Sequence, residues 1–231
     1  MQTTSLDYKE GIFLRELKNR FLCEVRIDGE DTVCYVPSSC HLSNFMELEG
    51  KRVLLFPNVT KGTRTNYAVF AVPFKRSYII LNSSLANRAV EASIHSRRFS
   101  FLGRRDLCIK EHSINGYKTD LYLPETKTIV EIKSLITPSS SALFPTVYSE
   151  RALEQLQQLK RFCAEGYRIC YLIVSLNPYV KTINLDTATE FYSLLEDCTR
   201  NGMILKGFSS RFKDRTITLE KEIKLLCTPQ R

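Results

Sequence analysis

The chain has eight cysteines, Cys23, Cys34, Cys40, Cys108, Cys163, Cys170, Cys198 and Cys227, yet no C-x-x-C pair. Its three histidines, His41, His95 and His112, are scattered. That spacing excludes a zinc-finger framework and leaves the cysteines as reduced core residues. Residues 1–11 contain Asp7 and Glu10 but no apolar run, so no secretory signal is expected. No apolar run is long enough to cross a bilayer. There is no internal repeat, no low-complexity tract beyond Ser139-Ser140-Ser141, and no recognition-helix signature from which an operator sequence could be argued. Acidic residues are in deficit, 25 Asp plus Glu against 33 Lys plus Arg, giving a formal charge of +8. The expectation is a cytoplasmic protein with no membrane contact and a polyanionic partner such as nucleic acid. A homodimer is a candidate assembly.

At 231 residues and 43% hydrophobic content there is enough material for a proper core. The expected fold class is α/β (α+β), an OB-like β-barrel over residues 1–76 followed by a mixed-sheet α/β domain over residues 77–231. Short β-branched and aromatic runs at 12–14, 21–27, 32–36, 52–56 and 67–72 are punctuated by turn residues, and about five such strands close naturally into a small barrel. A basic, aromatic face on it would include Arg15, Lys18, Arg20, Lys61, Arg64 and Tyr67; a solvated rim of charge reads equally well for any one of them. The strand pattern breaks at 73–77.

Beyond the break, 78–81 reads as a strand, and Asn82-Ser83-Ser84 offers caps for a helix through Ala86, Val90 and Ile94 that carries Asn87, Arg88 and Glu91. Residues 99–108 form a basic, aromatic connector and 137–148 a loop. Ser149 is placed as an N-cap before a helix whose buried stripe is Leu153, Leu156, Leu159 and Phe162, stopped by Gly166. A central strand at 169–176, a helix at 187–201 and strands at 203–208 and 215–219 follow, with 220–226 of uncertain type.

The chemistry concentrates in residues 117–134, which read as a hairpin turning at 124–127. Strand periodicity sends Glu131 and Lys133 to one face of the second strand and Val130 and Ile132 to the other. If Asp120 lies on the neighbouring strand it faces Glu131 at about 5 Å. Two carboxylates that close disfavour joint ionisation unless a cation offsets them, and hard oxygen ligands suit Mg²⁺ or Mn²⁺. An adjacent Lys could then position water for attack on phosphorus. The spacing Asp-x10-Glu-x-Lys resembles the reduced signature of PD-(D/E)xK nucleases, with Thr119 in place of the Pro. Acid-x-Lys is also common on amphipathic strands, where it is a solvated ion pair and nothing more.

Several stretches in order are similar to the sugar fermentation stimulation protein A family: Arg20-Phe21-Leu22, Leu81-Asn82, Ala86-Asn87-Arg88, Asp120, residues 130–134, Ala142-x-Phe144-Pro145, Ser149-Glu150-Arg151 and Ala164-Glu165-Gly166-x-Arg168. The resemblance implies an OB-like barrel, a PD-(D/E)xK nuclease core and DNA binding. It further implies that Asp120 and Glu131 ligate Mg²⁺ or Mn²⁺, with the Ile132 carbonyl as a third ligand, and that Lys133 orients the attacking water. Glu91 is the candidate for an additional carboxylate, and Gln155 lines the site. Arg20, Lys61, Arg64, Arg88 and Arg151 are the candidate nucleic-acid contacts. The chain departs from the family pattern at Thr146, where an Asp is usual, and at Gln155, where a His is usual. Those departures motivate the alternative of a non-catalytic DNA-binding regulator.

Overall fold

A computed structural model describes residues 8–38, 41–58 and 64–228. The first strands are β1 (Lys9–Glu16), β2 (Leu22–Ile27), β3 (Glu30–Tyr35), β4 (Arg52–Pro57) and β5 (Tyr67–Phe74). They form because apolar residues recur at the period of a pleated strand: Cys23, Val25 and Ile27 of β2 are buried while Arg26 between them is exposed. Asp28 and Gly29, both with positive φ, make the two-residue turn that joins β2 to β3. Antiparallel pairing runs β3-β2-β1-β4-β5, and a parallel contact of Tyr35 with Ala68 joins β3 to β5. The five strands thus close into an OB barrel. A sixth, β6 (Ser77–Ile80), folds back on β5 through Lys75 and Arg76, the stretch at which the strand pattern breaks in the sequence.

The second half contains α1 (Leu85–Ser93), β7 (Ile109–Lys110), β8 (Ser113–Ile114), β9 (Tyr117–Lys118), β10 (Leu121–Leu123), β11 (Thr128–Leu135), β12 (Ser141–Phe144), α2 (Glu150–Ala164), β13 (Arg168–Ser175), β14 (Thr182–Asp186), α3 (Glu190–Arg200), β15 (Ile204–Lys213) and β16 (Thr216–Thr228). Eight of these strands form a mixed sheet in the order β12-β14-β16-β15-β13-β11-β10-β7. β11, β13 and β15 run parallel, and β10 lies antiparallel to β11.

Alternation along the central strands assigns each sheet face to its own core. Val130 and Ile132 of β11 with Cys170, Leu172 and Val174 of β13 pack toward α1 and the barrel. Ile129, Leu135, Ile169, Tyr171 and Ile173 pack toward α2 and α3, where Leu153, Leu156, Leu159 and Phe162 supply the helical stripe that the sequence spacing predicts. The barrel is docked on the first face. Phe70 meets Phe212 edge-on with centroids 4.7 Å apart, and the Ile80 N–H donates to the Leu176 carbonyl at 3.0 Å.

Two local expectations are corrected and a third stretch is assigned. The 137–148 stretch contains β12, because extended Ser141 to Phe144 finds a parallel partner in β14. The connector at 99–108 begins inside a 3₁₀ turn, Arg97–Leu102, which anchors Phe99 and Leu102 in the core. Its Arg105 donates to the carbonyls of Ile94, Gly103 and Ser96, so that basic residue serves the backbone. Residues 220–226, of uncertain type in the sequence, continue β16, which pairs with β15 up to Ile223 and with β14 from Lys224. No helix among the described residues is long and apolar enough to cross a membrane.

Candidate functional site

The expected hairpin forms, with one break. β10 pairs with β11 through Leu121–Val130, Tyr122–Ile129 and Leu123–Thr128, and Pro124–Thr126 turns the chain with Lys127 left-handed at φ 47°. Residues 117 and 118 belong instead to a separate two-stranded ribbon with β8. Asp120 sits at the break, one register step beyond the Leu121–Val130 pair, and so next to Glu131.

The carboxylate of Asp120 accepts from Asn87 Nδ2 through Oδ1 and from the Ile132 N–H through Oδ2, each at 2.7 Å. Glu131 is 3% exposed, so the solvated ion pair of the bland reading does not describe it. Its Oε2 accepts from the Tyr117 hydroxyl at 2.6 Å and its Oε1 from Lys133 Nζ at 2.7 Å. That amine also donates to Gln155 Oε1 at 2.6 Å. Gln155 and Arg151 are one turn apart on α2; Gln155, half-buried beside the leucine stripe, reaches Lys133 of β11, and both residues line the same cleft.

Burial, and after it the charge of Glu131, pushes the Asp120 carboxyl up to about 6; the Ile132 N–H, Lys133 and Asn87 oppose this. Burial and the same Glu131 charge raise the Tyr117 hydroxyl, which keeps it protonated as the donor to Glu131. Two ionised acids with little solvent around them are the electrostatic setting that a cation relieves. Each carboxylate oxygen has a second lone pair beyond the hydrogen bond it accepts, so Asp120 and Glu131, with the Ile132 carbonyl, could hold a hard divalent ion. Among the described residues no third acid, His or Cys joins them as a cluster.

These residues form the floor of an open cleft of about 780 Å³ between the barrel and the α/β domain. Arg20 and Phe21, from the β1–β2 loop, line one side; Tyr148 and Arg151, at the start of α2, line the other. The sequence-predicted residues Asp120, Glu131, Ile132, Lys133, Gln155, Arg20 and Arg151 are thus brought together. Glu91 is not: its carboxylate pairs with Lys110 at 2.7 Å, outside the cleft. Four residues advance a helix by about 6 Å, and only the first turn of α1 reaches Asp120, so Asn87 takes the place expected for Glu91. Arg88 and Arg64 are exposed but do not line the cleft, and Lys61 lies outside the described residues. Tyr67 packs against the barrel core rather than offering a free face. Tyr117 and Asn87 are contacts that the sequence reasoning missed. The signal for Asn87 is its i, i+4 relation to Glu91; Tyr117 carries none, because the ribbon it belongs to breaks the strand periodicity.

A second cleft, of about 720 Å³, lies between β6 and the β15–β16 hairpin and includes Arg76, Arg211 and Glu220. Its two acids are each already in an ion pair, Glu220 with Arg211 and Asp214 with Lys213.

A five-stranded OB barrel docked on a mixed sheet, with Asp120 at a strand break beside Glu131 and Lys133 of β11, defines a two-domain protein of the OB plus mixed-sheet α/β class. The comparisons agree. The family model described as SfsA N-terminal OB domain matches residues 16–81, and that described as sugar fermentation stimulation protein RE domain matches residues 84–216. The chain belongs to the SfsA family. It is 24% identical over 209 residues to the sugar fermentation stimulation protein homolog of Natranaerobius thermophilus, covering 87% of this chain and 86% of that one. It is 25% identical over 200 residues to the homolog of Desulfitobacterium hafniense, covering 84% and 86%. The solved structure of Pyrococcus furiosus SfsA in complex with Ca²⁺ shares the fold with a TM-score of 0.80 at 19% identity, over 97% of each chain.

Proposed function

We propose that this chain is a nucleic-acid-binding protein, DNA ahead of RNA, with a divalent-metal-dependent phosphodiesterase centre on the cleft floor. The observation that carries the reading is the position of Lys133 Nζ, held between Glu131 Oε1 and Gln155 Oε1 beside Asp120, under lips that bear Arg20 and Arg151. Asp120, Glu131 and the Ile132 carbonyl would hold Mg²⁺ or Mn²⁺, which when bound polarises the phosphodiester and acidifies water. The Ca²⁺ named with the Pyrococcus furiosus relative supports a hard-cation site in this fold. Lys133 orients the attacking water and stabilises the charge that develops on the phosphoryl oxygens. Tyr117 and Asn87 fix the two carboxylates in place. Arg20 and Arg151 hold phosphates of the bound strand. Water adds to phosphorus, one P–O ester bond breaks, and the departing oxygen takes up a proton.

Purified protein is expected to degrade a labelled polynucleotide in Mg²⁺ or Mn²⁺, and Asp120→Ala to reduce the rate by about a hundredfold or more. Equal activity in that variant would assign the cleavage to a contaminant and end the proposal.

A second reading, a non-catalytic DNA-binding regulator on the same scaffold, draws on a specific observation. Thr146 turns its hydroxyl to the Leu143 carbonyl at 3.3 Å and supplies no carboxylate at the position where the family pattern has one. Under that reading polynucleotide binding weakens steeply with salt and no divalent metal brings turnover. Calorimetric titration with Mn²⁺ on wild type and Glu131→Ala separates the two: uptake that depends on Glu131 favours the metal centre.

A further inference from the structure

The lips of the cleft carry a feature that hydrolysis does not use. Four of the eight large apolar side chains exposed among the described residues gather there: Phe21 at 38%, Tyr35 at 37%, Val147 at 38% and Tyr148 at 65%. Phe21, Val147 and Tyr148 line the cleft, and Tyr35 stacks on Phe21 with ring planes 21° apart and centroids 6.4 Å apart. Each lip also carries an arginine. Arg20 lies over the Phe21 ring at 4.8 Å, and neither it nor Arg151 forms an ion pair with an acid among the described residues. The Arg20–Phe21 lip is set by its own loop: the Leu22 N–H donates to the Asn19 carbonyl at 2.8 Å, and the Phe21 N–H to Asn19 Oδ1 at 3.1 Å. It is presented without a large ordering cost on binding.

We propose that the paired lips, Phe21 with Tyr35 on the barrel and Tyr148 on the α/β domain, form a base-stacking site for single-stranded nucleic acid, with Arg20 and Arg151 on its phosphates. The inference rests on the nucleic-acid reading above and narrows it to one substrate class. A duplex hides the faces of its bases in its own stack and shows a groove-binding protein only their edges and phosphates, so exposed rings gain nothing from it. An unpaired strand offers every base face, and rings flanked by cations meet both of its needs. The charge argues the same way: a second copy of a chain of net charge +8 would bring arginine against arginine at this mouth.

The test uses a fluorescent DNA 20-mer of mixed sequence, single-stranded or as a duplex, with anisotropy read in EDTA at several salt concentrations. The single strand is expected to bind about tenfold or more tightly than the duplex. Phe21→Ala and Tyr148→Ala should each weaken single-strand binding about tenfold with an unchanged salt slope. Phe21→Tyr and Tyr148→Phe should retain it, and Arg151→Gln should lower the slope by about one. Both aromatics are exposed, and circular dichroism melting checks that the variants fold. Equal affinity for duplex and single strand, or alanine variants that bind like wild type, would overturn the inference. So would variants that change only the sedimenting mass, which would assign the rings to self-association. The two proposals fail separately. Asp120-dependent cleavage of duplex, unaffected by Phe21→Ala, removes stacking and leaves hydrolysis; single-strand binding lost in Phe21→Ala with no turnover in any divalent metal leaves stacking and removes hydrolysis.

Discussion

Asp120 shows what a buried carboxylate at a candidate site costs the fold. Its carboxyl is buried beside Glu131 and titrates at about 6, above the 3.8 of a free aspartate. For an acid whose folded value is raised, the native state favours the protonated form. The stabilising contribution is therefore complete below about pH 4 and is lost as pH rises through 6. By pH 8 the ionised group costs the fold up to about 3 kcal/mol, the free-energy equivalent of that shift. Asn in its place can still accept from the Ile132 N–H and carries no charge. Asp120→Asn should therefore be more stable than wild type at pH 8 in metal-free buffer, with the advantage fading toward pH 4. Urea unfolding at the two pH values measures it, and a variant less stable at pH 8 would refute the electrostatic account. If a divalent ion binds this acid, uptake at pH 5.5 should also release protons, which calorimetry in buffers of different ionisation enthalpy detects.

At the scale of elements, the barrel depends on one residue having no side chain. A Cβ on Gly11 of β1 would lie 2.5 Å from Val25 Cγ1 and 2.9 Å from the Arg26 carbonyl oxygen. The carbonyl is backbone and cannot move without parting β1 from β2, so Gly11→Ala should cost about 1–3 kcal/mol as overpacking does. An unchanged melting temperature would show that the strand pair has slack. Gly11 reads in the sequence only as the residue before an apolar run, because the contact comes from a different strand. The same distinction governs what else was legible. The β-branched and aromatic runs of β1 to β5, the period-two placing of Glu131 and Lys133 in β11, the continuous apolar run of β13 and the leucine spacing in α2 are local signals, and those elements form where the sequence puts them. β12 and the end of β16 have weak local signals and exist because β14 lies beside both. Spacing picks out the trio Asp120, Glu131 and Lys133 but fits a solvated ion pair as well, and the family resemblance is what favours a metal centre there. The surround of the trio was not legible: Tyr117 reaches Glu131 from a separate ribbon, and Glu91 lost its place to Asn87 through where α1 happens to meet the sheet.

For the molecule as a whole, the two families of strands share one core. Residues of the barrel, of α1 and of one sheet face belong to a single buried cluster running from Phe13 to Leu219. Phe70 of β5 packs on both Phe56 of β4 and Phe212 of β15, so an aromatic row crosses the junction. The backbone crosses it too, through the Ile80–Leu176 hydrogen bond and the bond from the Arg76 N–H to the Tyr179 hydroxyl. Such contacts make the cleft a property of the assembled pair, since Arg20 and Phe21 come from one half and Lys133 and Arg151 from the other. Separating the halves would expose apolar surface that each needs covered, at about 25 cal/mol for every Å² returned to water. The full chain should therefore unfold in one cooperative transition, with calorimetric and van't Hoff enthalpies equal. Phe70→Ala, which removes the middle of the row, should lower the melting temperature by the several degrees expected of about 3 kcal/mol lost from a core, and should keep the transition single. Two resolved transitions in the wild type, with the barrel melting apart from the sheet, would mean that the junction transmits no stability and that the two lips of the cleft are free to part.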